Sequence, residues 1–313
     1  MSGAAPVWPS LPLRDWSETR DTLHLWTQIV GKTRLAVAPM VNHWWQVPLY
    51  VSARGLTTSW MPYGTAGFSV EFDFIDHTLV VQLDDGRTWS MPLAPRSVAD
   101  FYRSYMAGLH SLGIDVHIWP VPVEIANSIP FASDETHGSY DAAAANDFWR
   151  ALTQASRLLS IFRGRFIGKS SPVHFFWGCF DLACTRFNGA RAPQHPGGVP
   201  GLADWATREA YSHACISAGW WPGALGSPIE EPVFYAYAYP EPVGCPTAKI
   251  LPAAGNYNGT MHEWVLPYDA VRAAPNPDAA ALDFFQSTYE AAATLGAWDR
   301  AALERDDAVR AKR

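Results

Sequence analysis

The sequence predicts an α+β fold made of two copies of one helix–antiparallel strands–helix unit, packed about a pseudo-twofold axis. Three observations carry this reading. Four landmarks recur in the same order along the chain. Apolar spacing in each half runs from steps of three and four, to alternation, and back. Runs of strand-like segments lie between helical ones instead of alternating with them, which separates α+β from a parallel α/β sheet.

The landmarks are short. Asp21 with Thr27-Gln28 returns as Asp147 with Thr153-Gln154, and His43-Trp44-Trp45 returns as His174-Phe175-Phe176. Trp60-Met61-Pro62 returns as Trp220-Trp221-Pro222. Asp100-Phe101-Tyr102 with Leu112-Gly113 returns as Asp283-Phe284-Phe285 with Leu295-Gly296. Self-similarity of this kind is the signature of a repeated unit. The first copy with its linker spans residues 1–138 and the second, longer copy residues 139–313. The separation between matching landmarks grows most between the second and third, around Ala192-Pro-Gln-His-Pro-Gly-Gly-Val-Pro-Gly201. Long Pro/Gly-rich loops of this type often serve as lids or binding loops.

Each copy opens with a helix. Leu23, Trp26, Val30, Thr33 and Val37 form its stripe in the first, and Phe148, Leu152, Ala155, Leu159 and Phe162 in the second. Strands are expected over 45–53, 68–74, 78–83 and, after the Asp84-Asp85-Gly86 turn, 87–93. The second copy offers 174–187, 212–218, 233–239 and 261–266, with Tyr235, Tyr237 and Tyr239 on one face by alternation. Closing helices carry Tyr102, Met106, Leu109 and Leu112, then Phe285, Tyr289, Ala292 and Leu295. One further strand is expected over 115–119, then a linker to Gly138. A charged tail after Trp298 reads as a solvated or frayed end.

Composition excludes several classes. Of the 313 residues, 48% are apolar and 17% charged, enough for a large core and too apolar for disorder. A net charge of −7, with no basic stripe, argues against nucleic acid as a partner. No stretch of about 18 apolar residues occurs, so no membrane span is expected. The Met1–Pro6 start lacks the charged and apolar regions of a secretory signal, so a cytoplasmic location is expected. Cys179, Cys184, Cys215 and Cys245 contain no CxxC pair and read as free core thiols. The 15 Trp, 12 Tyr and 15 Phe fill a core or line a pocket for a flat or apolar small molecule.

Gly164-Arg-Phe-Ile-Gly168-Lys169-Ser170 imitates a phosphate-binding loop, but it is one residue short and follows a helix instead of a strand. The residues that can carry chemistry lie elsewhere. His174, Asp181 and Arg186 interrupt an apolar strand, where buried charges require partners. Alternation puts His174 and Arg186 on one face and Asp181 on the other, unless Gly178 bulges the strand. The bland alternative is a core histidine and a structural Asp–Arg pair. Glu209 and His213, four apart, would share a helix face as an acid–base pair or as metal ligands, unless His213 already lies in a strand. A pseudo-twofold axis could unite His43 and His174, and with His213 they are the candidate ligands of a divalent metal. Asp134, Glu135, His137 and Asp141 fit a cation site less well than a helix cap. Trp44, Trp177, Tyr235 and Tyr237 are the candidate ligand-binding aromatics.

Further stretches carry a resemblance over almost the whole chain: Trp8-Pro-Ser-Leu-Pro-Leu13, Asn42-His-Trp-Trp45, Arg54-Gly-Leu-Thr-Thr58, Lys169 to Gly178, Glu209-Ala-Tyr-Ser-His213, Phe234 to Pro240 and Ser287 to Ala291. In these the chain resembles a bacterial family of domains of unknown function, numbered 5996, which implies no activity. In that family an acidic residue often follows the position of His213, and Ser is common at that of Cys179. Here Ala214 and Cys179 stand there, which weakens a metal site built on the acid and marks Cys179 as no required ligand.

The expectation for function is an enzyme on a small, partly aromatic or apolar molecule. His174 or His213 would be the general base, Asp181 or Glu209 its partner and Arg186 an anion clamp, under the Pro/Gly-rich insert. A non-catalytic binding protein with the same pocket, and a protein-interaction scaffold with an exposed aromatic surface, are the alternatives. A bound divalent metal and a homo-oligomer remain open.

Overall fold

The computed structural model describes residues 7–199 and 201–305. Met1–Pro6, Pro200 of the insert and the end of the charged tail lie outside the described residues. The chain divides into two compact units that are interleaved in sequence. The first comprises residues 1–153, 175–180 and 197–207, and the second 154–174, 181–196 and 208–313.

In the first unit, helix α1 (Leu13–Val37) precedes a six-stranded antiparallel sheet. Its strands are β1 (Tyr50–Val51), β2 (Gly55–Thr57), β3 (Met61–Tyr63), β4 (Ala66–Asp73), β5 (Thr78–Leu83) and β6 (Thr88–Pro92). The order is β1-β2-β4-β5-β6, with β3 also paired to β4. Alternation puts Phe68, Val70 and Phe72 of β4 and Leu79 and Val81 of β5 on the buried face. Helix α2 (Val98–Ser111) follows, capped by the Ser97 hydroxyl, which accepts from the Asp100 amide. Its Phe101 lies between α1 and the sheet, 4.6 Å from Trp26 and 6.3 Å from Phe72, parallel to both.

Helix α3 (Ala142–Gly164) starts in the first unit and ends in the second. Asp141 caps it, accepting from the amides of Ala143 and Ala144, as the capping alternative anticipated. The second sheet contains β7 (His174–Phe176), β8 (Asp181–Arg191), β9 (His213–Trp221), β10 (Val233–Tyr239), β11 (Asn256–Asn258) and β12 (Glu263–Pro267). It is antiparallel in its assigned pairings, in the order β11-β12-β10-β9-β8-β7. A seven-residue helix, α4 (Asp204–Ala210), precedes β9; α5 (Tyr268–Arg272), α6 (Pro277–Leu295) and α7 (Arg300–Leu303) follow the sheet. Phe285 of α6 packs on Phe234 of β10 at 5.6 Å and on Phe162 of α3 at 5.6 Å. Residues 214–220 of β9 are all buried, the pattern of a strand covered on both faces. Among the described residues, no helix is long and apolar enough to cross a membrane.

The fold is therefore α+β, with helices before and after each sheet. The first and fourth landmarks fall on corresponding elements, α1 with α3 and α2 with α6. The second and third do not. His43-Trp44-Trp45 forms a tight 3-10 turn with His43 and Trp44 at φ of 59° and 61°, whereas His174-Phe175-Phe176 is strand β7. Trp60-Met61-Pro62 leads into the short side strand β3, whereas Trp220-Trp221 ends β9.

Three expected strands are corrected. The 45–53 segment contributes only Tyr50–Val51, because the left-handed turn at His43 and Trp44 uses the chain before it. Residues 115–119 form no strand; the Asp115 amide donates to the Tyr63 hydroxyl at 2.8 Å instead of to a ladder. The 174–187 segment is two strands, broken by a turn at residues 177–180 where Phe180 takes φ of 65°.

Candidate functional site

The face of the second sheet turned away from α6 carries most of the polar chemistry. Positions 181, 183 and 185 of β8, 217 and 219 of β9, 235, 237 and 239 of β10, and 263 and 265 of β12 share it by strand parity and register. Tyr235 and Asp181 meet there although they sit on strands separated by β9. The Tyr235 ring crosses β9 at Gly219, where any Cβ would collide with its hydroxyl end and with the Leu182 carbonyl. The hydroxyl then donates to the Asp181 carboxylate, and Asp181 is 7% exposed. Burial, first, and the Asp181 charge, second, hold the Tyr235 phenol far above its usual pKa, so it remains a donor.

Glu263 opens β12 on the same face. Its carboxyl is pushed up to about 8, by burial first and by the charge of Asp181 second. A carboxyl that keeps its proton near neutral pH within the field of a second carboxylate is an arrangement from which acid and base roles separate.

A ladder of rings continues from this pair. Tyr237 lies parallel to Tyr235 at 6.2 Å, and its hydroxyl is 2.8 Å from that of Tyr211. His195 of the insert stacks on Tyr211 at 4.8 Å and lies 5.1 Å from Tyr239. The Tyr239 hydroxyl donates to the Pro193 carbonyl at 3.0 Å. The start of the Pro/Gly-rich insert thus lies against the aromatic end of this face. Ser217 and Thr185 hydroxyls, 2.9 Å apart, form its polar floor.

Of the residues expected from sequence, Asp181, Tyr235 and Tyr237 come together. Arg186 lies on the opposite, α6-covered face. Its guanidinium sits 3.5 Å from the Phe162 ring, 4.2 Å from Tyr289 and 5.1 Å from Phe166, and donates to the Phe162 carbonyl. Burial lowers its pKa to about 10. It is a caged core cation, and the clamp alongside Asp181 is not formed. His174 is buried at the start of β7. Glu209 lies in α4 while His213 opens β9, so the shared helix face is corrected: the chain turns at Ser212 between them. His213 Nδ1 is 3.1 Å from the Ser212 hydroxyl.

His43, Trp44 and Trp177 belong to the first unit. Trp44 donates its indole N–H to the Ala206 carbonyl at 2.9 Å, and Trp177 donates to the Val47 carbonyl at 2.8 Å. Among the described residues, no three His, Cys, Asp or Glu side chains gather as metal ligands would, so the expected His43, His174 and His213 site has no ligand set.

The first unit holds a second concentration of buried polar groups. Arg20, His24, Gln28 and Lys32 recur every four residues along α1, and all are buried. His24 Nε2 lies 2.8 Å from the Gly178 carbonyl. Gln28 is held at both ends of its amide by Val123, at 2.8 Å each. Glu124, at φ of 58°, accepts from the Cys179 thiol at 2.6 Å, and burial raises its carboxyl pKa. Burial, with Arg20 next, drops His24 to about 3, so its ring is neutral. Cys179 is the exposed exception among thiols read as core residues.

Fold and site define a two-unit α+β protein whose second sheet carries Asp181, Glu263 and an aromatic ladder on one face. The chain belongs to a family of unknown function (DUF5996), which matches residues 8–305. No curated protein and no solved structure matches it.

Sequence reasoning missed Glu263 and the α1 row. Glu263 follows Met261-His262 with no period of its own, and it joins the site only through the β10–β12 register, with Val265 opposite Tyr235. The α1 row was readable, because four polar residues at a spacing of four inside an apolar helix mark a buried polar stripe.

Proposed function

We propose that the second unit is an acid–base catalytic site for a small molecule with a flat, partly aromatic or apolar part. Glu263 is the proton donor. Asp181, oriented by the Tyr235 hydroxyl, is the partner that accepts a proton or stabilises developing positive charge. The ladder of Tyr237, Tyr211, Tyr239 and His195 supplies rings on which the flat part stacks. The observation that carries this reading is the placing of Glu263 on the same sheet face as Asp181, with its carboxyl pushed up to about 8. No step requires a metal or cofactor.

The test is a screen of the full chain against aryl esters, aryl glycosides and enolisable aryl ketones. For a turned-over probe, Glu263→Gln lowers kcat by about 10²–10⁴-fold with KM nearly unchanged. Full activity in both Glu263→Gln and Asp181→Asn would sink the reading. The closed hydroxyl pair of Tyr211 and Tyr237 favours the second reading, a binding protein without turnover. That reading predicts aryl ligands that bind equally well to Glu263→Gln and are never converted.

We also infer that the two halves of the chain, residues 1–138 and 139–313, arose by duplication. The support is the matching order of helix, antiparallel strands and helix, with the Asp–Thr–Gln landmark on α1 and α3 and the Asp-Phe landmark on α2 and α6.

A further inference from the structure

The chain has four lysines, Lys32, Lys169, Lys249 and Lys312. Lys169 and Lys249 are exposed, Lys312 lies outside the described residues, and Lys32 is 3% exposed within α1. Its ammonium lies 5.8 Å from the centre of the Trp177 ring. It makes no hydrogen bond or ion pair with any described residue. A buried ammonium without a carboxylate is costly, and the face of an indole offsets only part of that cost.

Trp177 is fixed where it stands. Its N–H is bonded to Val47, and its ring occupies the space that a Cβ at Gly31 would fill. The chain otherwise uses arginine for its buried cations, at Arg20, Arg34 and Arg186. A guanidinium keeps its proton in the core, whereas an amine can give it up. Burial alone brings Lys32 down to about 8, which leaves on the order of a tenth of it as free amine at neutral pH.

We propose that Lys32 is a carbonyl-reactive amine, condensing with an aldehyde or ketone whose apolar or aromatic portion lies against the Trp177 indole. The Nζ lone pair forms a bond to the carbonyl carbon, and the C=O π pair moves to oxygen. That oxygen takes up the proton which the nitrogen releases, giving a carbinolamine. A proton from solvent then converts the hydroxyl to water, the nitrogen lone pair expels it, and the resulting iminium returns one proton to solvent. Amine and carbonyl become imine and water, with no oxidant or reductant involved. The site lies in the first unit and shares no residue with the acid pair, so either can fail while the other stands.

The test uses the full chain with benzaldehyde and sodium cyanoborohydride, which traps the imine as a secondary amine, followed by peptide mass mapping. The expected result is one benzyl group per chain, at Lys32, formed at least tenfold faster than on Lys169 or Lys249. Lys32→Met should abolish it. The wild-type map decides the matter even where that variant folds poorly. Label spread over the exposed lysines with Lys32 spared, or no label at all, would overturn the proposal.

Discussion

Helix α1 of the first unit and the polar face of the second unit's sheet bury titratable groups of opposite kinds. Along α1 the first unit buries bases whose pKa is lowered, with His24 at about 3 and Lys32 at about 8. On its sheet the second unit holds acids in their neutral form, with Glu263 at about 8 and Cys215 at about 12. The cause is the same in both, since burial disfavours whichever form is charged. The consequence differs in sign. A buried base makes the fold sensitive to acid, and a buried acid makes it sensitive to alkali.

The largest effect that can break this comparison is on stability against pH. Folded His24 takes a proton only near pH 3, whereas the unfolded residue does so near 6.5. Between those values the unfolded chain holds more protons, so its contribution is complete above 6.5 and is lost as pH falls towards 3. The loss is up to about 5 kcal/mol. Folded Glu263 keeps its proton to about 8, whereas the unfolded residue releases it near 4.5. Its contribution is complete below 4.5 and is lost as pH rises through 8. Part of Glu263 meets solvent, so about half the His24 effect is expected. Chemical denaturation across pH 4–9 should show the acid limb flattened in His24→Gln and the alkaline limb flattened in Glu263→Gln. Unchanged limbs would break the comparison.

Next in size is the buried cation of the second unit. Arg186→Ala empties a cage of three rings and should cost about 3–5 kcal/mol. Arg186→Met fills the same space without a charge and should recover most of that loss. Equal losses in the two variants, measured by urea titration, would show that the charge matters and not the packing.

A smaller loss, about 1–3 kcal/mol, is expected for Gly219→Ala, where the new methyl meets the Tyr235 ring and the Leu182 carbonyl. The sharper readout is the Tyr235 hydroxyl proton, whose bond to Asp181 should vanish from the NMR spectrum. The smallest effect is at Asp141→Ala, which removes a cap with two acceptor contacts and should cost about 1 kcal/mol by thermal unfolding.

Much of the fold was legible because period and composition act locally. The expected ranges 78–83 and 233–239 coincide with β5 and β10, since alternation and turn residues bound them on both sides. Failures came where a distant group decided the local structure, as when Tyr63 captured the Asp115 amide. The site was half legible for the same reason. Tyr235 and Tyr237 announce their shared face by alternating with alanine, and Asp181 lies on a parity opposite to Arg186, as alternation required. Glu263 required the pairing of β12 with β10, which no single segment encodes. Imidazole chemistry drew attention to His43, His174 and His213, whereas large shifts fall on Glu263, Lys32 and the α1 residue His24.

The interleaving of the two units has a consequence for how the protein is made. After residue 153 the first unit still lacks Trp177, whose ring fills the notch at Gly31, and Phe175, whose backbone pairs with Leu49. It also lacks Ala206, which receives the Trp44 indole. A ribosome that has released only the first half has therefore released an incomplete object. The first unit closes only once residue 207 has emerged, by which time parts of the second are already outside the exit tunnel. Neither half is an independent gene product in miniature: a cut at the midpoint of the chain would sever both.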